Sequence, residues 1–341
     1  MTRSPDGEDP SVTLFREYLR LKTVHPEPDY DAAVRFLSRI AVELELPLKK
    51  IEVCPGRVVS IMTWEGTEPQ LKSVLLNSHT DVVPVYQEHW KYDAFKAFKD
   101  AKGDIYARGS QDMKCVTIQY IQAVRKLKAQ GWKPARTVHL MFVPDEEVGG
   151  HKGMETFVTQ PEFQKLNIGF ALDEGLANPG EAFTVFYGER NPWCECRTQT
   201  IPGHGSRFVE NTAAEKLEFE RQIQEWCAEA GQDITYEFAQ KHMNQNITST
   251  DDTDPWWSAF SAACKSLNMT LEKEIFPAAT DSRFIRAVGI PAIGFSPMNR
   301  TPILLHDHNE YLNEEVFLKG IGVYERLIPA LTSVPALAGE A

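Results

Sequence analysis

The chain has 341 residues, 42% of them hydrophobic, enough to bury a sizeable core in one large domain or two smaller ones. Its formal net charge of −12 argues against the basic surface that general nucleic-acid binding requires. The sequence holds no apolar run long enough to cross a bilayer, and residues 1–10 lack the apolar core of a signal peptide. With no secretory signal, we expect a cytoplasmic protein whose six cysteines are free thiols, and no pair of them has the C-x-x-C spacing of a structural zinc site or redox motif.

The first half of the chain alternates between helical and extended patterns. Apolar residues at helical spacing predict helices over 12–21, with Ser11 as the N-cap, and over 31–46. Further helices are expected over 113–130 and near 153–159, and strands at 50–53, 58–64, 73–78, 137–143 and 168–172. This alternation predicts an α/β fold with a mostly parallel sheet covered by helices on both faces.

The pattern changes near residue 182. Strands are expected at 183–187, 193–200 and 234–238, with a charged helix over 212–230; the α/β pattern then resumes with helices over 255–267, 282–287 and 314–331 and strands at 271–275 and 291–295. Residues 332–341 are small and polar and are expected to be loose. We predict one large domain made of residues 1–187 and 244–341, interrupted by a small α+β insertion at 188–243.

Side chains of the kind that bind metals follow three of these strands. His79 and Asp81 come after the strand at 73–78, Glu146 and Glu147 after the next strand in the sheet pattern, and Glu174 after the one that follows. Ligands of open α/β sheets bind outside the carboxyl ends of the strands. These residues are therefore expected to converge on one site.

Each of these signals also has an ordinary structural interpretation. A His-x-Asp triplet such as that at His79 is usually a surface loop, and Asp112, which opens a predicted helix, would usually be an N-cap. The acidic run at 145–147 is either a solvated loop or a group whose mutual repulsion a cation relieves. His306 and His308 stand in a late loop, and at most one or two of these histidines would be ligands.

The number of ligands favours two metal ions over one. Two histidines and three or four carboxylates exceed the needs of one tetrahedral zinc, whereas two ions bridged by a shared carboxylate fit the count. Histidine with carboxylates suits zinc better than magnesium, and a carboxylate left free could move protons. Motifs of serine hydrolases, P-loop proteins and dinucleotide-binding proteins are missing from the sequence, and no cysteine is singled out as a nucleophile.

Five segments together resemble the metal motifs of the M20 family of di-zinc metallohydrolases. They are Leu76–Pro84, Arg108–Lys114, Val143–Gly150, Phe170–Gly175 and Leu304–Glu310. The resemblance covers nearly the whole chain and implies a three-layer, zinc-exopeptidase-like domain with two zinc ions.

The resemblance also implies a role for each residue. One zinc would be held by His79, Asp112 and Glu174, and the other by Asp112, Glu147 and His306. Asp112 would thus bridge the two ions. Glu146 would be the general base, and Asp81 would orient His79.

The family hydrolyses amide bonds that lie beside a free carboxylate. The chain is most similar to members that cleave N-acyl-L-amino acids, notably N-acetylated ones, into a carboxylate and a free L-amino acid. Segments 279–283 and 294–297 resemble the substrate-side loops; Arg283 is the candidate cation there, either for substrate or for a structural ion pair. An M20-type dipeptidase or carboxypeptidase is the alternative.

The predicted insertion departs from the family pattern. Family members carry a lid of four strands and two helices that also forms a homodimer. His204, within Pro202–Ser206, resembles the lid histidine that stabilises the oxyanion in the partner's active site. Several dozen family residues, including a carboxylate-binding arginine, have no counterpart between Leu217 and Glu218. This gap predicts a truncated lid, a compromised dimer and weak turnover, or else a zinc-binding partner of a full-length relative.

Overall fold

The structure, a computed structural model, describes residues 7–190, 193–194, 225–229, 240–241 and 245–340. The helices of this part are α1 (Pro10–Leu19), α2 (Tyr30–Glu43), α3 (Lys114–Ala129), α4 (Thr156–Val158), α5 (Pro161–Gln164), α6 (225–229), α7 (Pro255–Ser266), α8 (Ser282–Ala287) and α9 (Glu314–Thr332). The strands are β1 (Leu48–Cys54), β2 (Arg57–Trp64), β3 (Ser73–His79), β4 (Phe98–Lys99), β5 (Asp104–Tyr106), β6 (Val138–Val143), β7 (Ile168–Asp173), β8 (Phe183–Glu189), β9 (Trp193–Cys194), β10 (Gln240–Lys241), β11 (Leu271–Phe276), β12 (Ala292–Phe295) and β13 (Tyr311–Asn313). Single helical turns also occur at Gln87–His89, Glu146–Val148 and His151–Glu155.

Eight strands form the central sheet, in the order β1-β2-β6-β3-β7-β12-β8-β11. The middle strands β6, β3, β7 and β12 run parallel to one another. On one side β1, β2 and β6 pair antiparallel, and on the other side β12 pairs antiparallel with β8. Helices cover both faces: Leu76 packs into the cluster that includes α1, α3, α7 and α9, and its neighbour Leu75 into the cluster with α4, α5 and α8. The predicted three-layer α/β fold is confirmed.

The register of the parallel strands brings the predicted ligands to one edge. His79, the last residue of β3, pairs with Val143, the last residue of β6. The neighbouring strand β7 ends at Asp173. Because parallel strands end at the same edge, the residues that follow them are neighbours in space although they are far apart in the sequence.

The start of α1 differs from the expectation. The helix begins at Pro10, and its N-cap is Asp9, whose carboxylate accepts a hydrogen bond from the backbone N–H of Ser11 at 2.7 Å. Proline is favoured in the first turn of a helix because the N–H that it lacks would have no partner there. Ser11 is therefore a buried first-turn residue, and its assignment as the cap is wrong.

The C-terminal segment is also not loose. Arg136, which is fully buried, donates hydrogen bonds to the carbonyls of Val334 and Pro335 and forms an ion pair with Glu340 at 2.7 Å. A buried guanidinium requires a partner of opposite charge. The prediction of a loose tail at 332–341 is wrong because Arg136, a distant residue, anchors it.

Little of the predicted insertion falls within the described residues. β9 and β10 pair antiparallel, so residues near the two ends of the predicted insertion are strand partners. Residues 225–229 are helical, as expected. The rest of the predicted helix, the strand at 234–238 and His204 lie outside the described residues. Within the part of the chain that is described, no helix is long and apolar enough to span a membrane.

Candidate metal centre

The first group of ligand-type atoms lies where β3 and β7 end. His79 Nε2 is 3.0 Å from Asp112 Oδ1 and 3.5 Å from Glu174 Oε2. The other ring nitrogen of His79, Nδ1, donates its hydrogen to the Asp81 carbonyl at 3.0 Å. In the neutral ring Nε2 then carries no proton, so atoms with lone pairs face one another. Such an arrangement fits a cation.

A second group shares Asp112 with the first. His306 Nε2 lies 3.0 Å from Asp112 Oδ2 and 2.8 Å from Glu147 Oε2. In each group the potential ligand atoms lie within 4.8 Å of one another. The remaining oxygen of Glu147, Oε1, is buried and has no hydrogen-bond partner among the described residues. Asp112 thus offers one oxygen to each group, as a carboxylate that bridges two ions would.

The start of α3 argues against an N-cap role for Asp112. α3 begins at Lys114, and its start has no side-chain cap. The Asp112–Met113 peptide bond is cis, and the Asp112 carboxylate faces the two histidines. The N-cap interpretation of Asp112 is therefore wrong. His308 belongs to neither group; it is exposed, and its ring lies against that of His89.

The charge of this region is strongly negative without cations. The side chains of Asp112, Glu146, Glu147 and Glu174 are each at most 9% exposed. Ionised carboxylates buried together are costly unless positive charge lies close by. Two divalent cations would balance the four carboxylates, and two neutral histidines would complete the ligands.

The pKa values of these groups also reflect the burial of several carboxylates close together. Burial raises the pKa of the Glu174 carboxyl well above its usual range, and the negative charge of Asp112 adds to the effect. Burial also opposes charge on His306, but the neighbouring Glu147 and Asp112 raise the pKa of His306 to about 11. A bound divalent cation favours the opposite protonation states, an ionised carboxylate and a neutral imidazole, because these are the forms that bind metals.

Glu146 lies beside both groups and is a member of neither. Its Oε2 is 3.9 Å from His79 Nε2. Burial raises the pKa of the Glu146 carboxyl well above its usual range, and the nearby Asp281 and Glu147 add to the effect. A carboxylate whose pKa is raised accepts a proton more readily than an ordinary glutamate does, which suits proton transfer beside a metal centre.

Asp81 contacts several residues besides His79. Its carboxylate is 3.8 Å from His79 Nδ1, whose hydrogen goes to the backbone carbonyl of Asp81 instead. The carboxylate accepts hydrogen bonds from the backbone N–H groups of Glu146 at 3.3 Å and Glu147 at 3.1 Å, and from His25 Nε2 at 2.8 Å. Asp81 therefore holds the turn that carries both glutamates.

Asp145 fixes the same turn from the other side. It has a left-handed backbone conformation, with φ of 64°, which is uncommon for a residue other than glycine. Its carboxylate accepts a hydrogen bond from the Tyr30 hydroxyl and one from Arg57 Nε, both at 2.7 Å. A strained conformation persists when its surroundings determine it strongly, as these two donors do here.

Glu310 organises the loop that carries Asp112. Its buried carboxylate accepts hydrogen bonds from the backbone N–H groups of Gly109 and Gln111 and forms an ion pair with Arg108. Arg108 also donates to the backbone carbonyl of His306. One ion pair thus connects the Asp112 loop with the His306 loop.

Arg283 has contacts typical of a structural residue. Its Nη1 donates to the Thr280 carbonyl at 2.7 Å and its Nη2 to the Gly149 carbonyl at 2.8 Å, and its guanidinium lies over the ring of Phe284. These contacts anchor the turn that follows the two glutamates. A substrate-binding role for Arg283 stays a prediction, and so does the oxyanion role of His204.

Several residues of this site were not singled out from the sequence: His25, Tyr30, Arg57, Arg108 and Glu310. Arg108 and Glu310 lie in segments that resemble family motifs, and this was a usable signal. The other three stand in unremarkable helix, strand and loop sequence, and only the fold brings them to the site.

Comparisons with known proteins agree with this geometry. A profile of peptidase family M20/M25/M40 matches residues 75–330. The chain belongs to this family. An M20 metallo-carboxypeptidase of Sulfolobus solfataricus superposes with a TM-score of 0.72 at 14% identity, covering 95% of this chain and 100% of that one, so the shared fold extends over almost the whole molecule.

Curated relatives in the M20 family are much more similar in sequence. Aminoacylase-1A of Rattus norvegicus is 56% identical, and aminoacylase-1 of Homo sapiens is 53% identical, each with 99% of both chains covered. This chain is an aminoacylase-1-like M20 protein, which confirms the predicted family. Both alignments extend over 405 positions while the chain has 341 residues, so at least 64 positions of each lie opposite gaps in this chain.

Proposed function

We propose that this protein is a zinc-dependent amidohydrolase that cleaves N-acyl-L-amino acids, notably N-acetylated ones, into a carboxylate and a free L-amino acid. The high identity with relatives named aminoacylase-1 supports the substrate class. The geometric observation that carries the proposal is Asp112, whose two oxygens face two separate pairs of histidine and glutamate.

In this proposal His79, Asp112 and Glu174 hold one zinc, and Asp112, Glu147 and His306 hold the other. Zinc is preferred because its usual ligands in proteins combine imidazole with carboxylate. When bound, the pair of ions supplies Lewis-acid activation of water and of the amide carbonyl. His79 is oriented for this role by its hydrogen bond to the Asp81 carbonyl.

Glu146 is the proposed general base. It lies beside the ligands without belonging to either group, and burial raises the pKa of its carboxyl. It would take a proton from the attacking water and pass it to the leaving amide nitrogen. The scissile C–N bond then breaks, and the products are the acyl carboxylate and the free amine.

We further infer that the alignment gap falls in the insertion at 188–243 and shortens the lid. The large domain supports this, because residues 7–190 and 245–340 build a continuous eight-stranded sheet. The shortened lid would lack the family's carboxylate-binding arginine and the dimer geometry that places His204, the oxyanion donor, in a partner's site. Loss of one such donor typically lowers kcat by about a hundredfold or more, so we expect weak turnover and a compromised homodimer in a cytoplasmic enzyme.

The test compares hydrolysis of N-acetyl-L-amino acids with hydrolysis of the corresponding dipeptides, at saturating zinc. We expect measurable release of amino acid from the N-acetyl compounds, at about a hundredth or less of the rate of a variant that carries a full-length lid. Preference for dipeptides would favour the alternative of an M20-type dipeptidase or carboxypeptidase. Turnover equal to that of the full-lid variant would disprove the role assigned to the missing lid.

The alignment gap also favours a second candidate function. A chain with an intact metal centre and a shortened lid could act as a catalytically weak, zinc-binding partner of a full-length relative. Mixing the two proteins and determining the mass of the complexes tests this directly. Mixed dimers are expected if it is correct, and two separate populations if it is not.

A further inference from the structure

We propose that His25 is a positioning residue of the metal centre, acting through Asp81 on the turn that carries Glu146 and Glu147. The inference rests on the proposed function for its kinetic consequences. Its structural basis is a hydrogen-bond chain that enters the site from the loop between α1 and α2.

The donor and acceptor roles in this chain are fixed by chemistry. An ionised carboxylate only accepts, so the contact of 2.8 Å between His25 Nε2 and Asp81 Oδ2 requires a hydrogen on Nε2. Asp81 is fully buried and His25 is 8% exposed, so water competes little with the bond. The Asp81 carboxylate thus receives an imidazole N–H in addition to the N–H groups of Glu146 and Glu147.

The backbone holds His25 in register with Asp81. The His25 N–H donates to the Val82 carbonyl at 3.1 Å, and the Val82 N–H donates to the Thr23 carbonyl at 2.9 Å. A short parallel bridge between Val24 and Val82 results. Segment 23–25 therefore runs beside the chain directly after Asp81, and the imidazole meets the carboxylate in one defined orientation.

A third metal site at this place is not supported. His25, Asp81 and Asp145 do offer three potential ligand atoms close together. However, the two oxygens of Asp145 already accept hydrogen bonds from Tyr30 and from the cationic Arg57. The Arg57 guanidinium supplies the positive charge, so this cluster supports the metal centre and does not itself need an ion.

The residues around the turn therefore have separate positioning roles. Tyr30 and Arg57 hold the Asp145 side chain. His25 holds the Asp81 carboxylate, which accepts hydrogen bonds from the backbone N–H groups of Glu146 and Glu147. Loss of the imidazole N–H would free Asp81 to rotate and would displace the proposed base and one ligand together. Removal of such an outer hydrogen-bond partner typically costs about 10- to 100-fold in metal affinity or activity.

Four variants of the full chain test this role: His25→Leu, His25→Gln, His25→Asn and Thr23→Val. The Nε2 amide of glutamine can occupy the place of imidazole Nε2, whereas the shorter asparagine amide cannot reach it. Thr23→Val is the matched control, since the Thr23 hydroxyl is buried in the same segment without a hydrogen-bond partner among the described residues. For each variant kcat and KM are measured with an N-acetyl-L-amino acid, and zinc retention is measured against a chelator.

We expect His25→Leu and His25→Asn to lower kcat about 10- to 100-fold with little change in KM and to release zinc more readily. His25→Gln and Thr23→Val should resemble the unmodified protein. Equal rescue by Gln and Asn, a matching loss in Thr23→Val, or unchanged kcat and zinc retention in His25→Leu would overturn the proposal. If His25→Leu does not fold, the comparison of Gln with Asn still decides.

The zinc readout separates this inference from the proposed function. If the unmodified chain hydrolyses no N-acetyl-amino acid, the proposed function fails, yet the order of zinc retention among the four variants still tests His25. If the unmodified chain is active and the four variants retain zinc and turn over equally, only the role of His25 fails.

Discussion

Two neighbouring glutamates illustrate how position decides chemistry at the scale of single residues. Glu147 Oε2 lies 2.8 Å from His306 Nε2 and belongs to a ligand group, whereas Glu146 Oε2 lies 3.9 Å from His79 Nε2 and belongs to none. The backbone N–H groups of both bind Asp81, so one carboxylate fixes both positions. Adjacent, chemically identical side chains can therefore serve as proton carrier and as metal ligand.

The isosteric pair Glu146→Gln and Glu147→Gln separates these functions. Glu146→Gln should lower kcat by about 10²- to 10⁴-fold, because a general base is lost, while the bound zinc remains. Glu147→Gln should lower the zinc content, because a neutral amide replaces an anionic ligand. Kinetics together with elemental analysis of the purified variants measure both effects. Normal kcat in Glu146→Gln, or loss of zinc there, would contradict the assignment.

His139 provides a test of stability against pH outside the site. Burial lowers the pKa of His139 to about 4. Its Nε2 donates to the Leu166 carbonyl at 3.2 Å, and in the neutral ring Nδ1 accepts from the Thr63 hydroxyl at 3.0 Å. In the unfolded chain a histidine titrates near pH 6.5. The folded state therefore gains stability from neutral His139 above that pH.

This contribution, about 3 kcal/mol, should be lost as the pH falls from 6.5 towards 4, because the unfolded chain takes up a proton that the folded chain excludes. His139→Gln can keep both hydrogen bonds and does not titrate. Its free energy of unfolding should fall less between pH 7 and pH 4 than that of the unmodified protein, by about 3 kcal/mol. Denaturant unfolding at both values measures the difference, and equal pH dependence would refute the assignment.

At the scale of elements, loops that approach the metal centre are fixed by buried ion pairs. The Glu310 carboxylate accepts from the backbone N–H groups of Gly109, Gln111 and Asp112 at 3.1, 2.6 and 3.3 Å. The loop before α3 thus folds around a carboxylate supplied by the segment before β13. The Asp112 side chain is aimed at the two histidines because its backbone is held in this way.

Glu310→Gln should loosen this loop. The amide presents N–H groups to donors that need an acceptor, and hydrogen bonds to charged groups are worth about 1.5–3 kcal/mol. We expect a loss of that order in unfolding free energy and easier release of zinc to a chelator. Glu315→Gln, an exposed residue in the first turn of α9, is the matched control and should change stability by less than about 1 kcal/mol. Equal effects of the two variants would show that Glu310 has no special role.

The sequence predicted those features that are encoded locally. Short apolar runs identified the strands of the central sheet, and the residues after them, such as His79 and Glu174, met where parallel strands end. Partners that are distant along the chain were missed: His25 and Asp81 are 56 residues apart, and Arg136 and Glu340 are 204 apart. Periodicity carries no information about such pairs, because each depends on how complete elements pack.

At the scale of the whole molecule, the metal centre is also a stability element. Four carboxylates are buried at one edge of the sheet, and removal of cations would leave their repulsion uncompensated. A ligand that binds only the folded state at a hundred times its Kd stabilises that state by about 2.7 kcal/mol.

A chelator should therefore lower the melting temperature, and added zinc should restore it. At free zinc a hundredfold above Kd, the unfolding free energy should exceed that of the metal-free protein by at least about 2.7 kcal/mol. Magnesium at the same concentration should restore less, because it binds imidazole poorly. Thermal unfolding followed by circular dichroism measures the shift. An unchanged melting temperature in the chelator would argue against metal binding in the folded state.

The ion pair between Arg136 and Glu340 has a consequence for the timing of synthesis. Arg136 lies two residues before β6 and also donates to the Lys72 carbonyl, so it joins the starts of β3 and β6 to the C-terminal segment. Its partner, Glu340, is translated 204 residues later, which at about 5–20 residues per second takes about 10–40 s. During this interval the nascent chain carries the guanidinium without its carboxylate. Residues 334–340 thus complete the sheet edge opposite the metal centre, and they do so after translation of the strands that they secure.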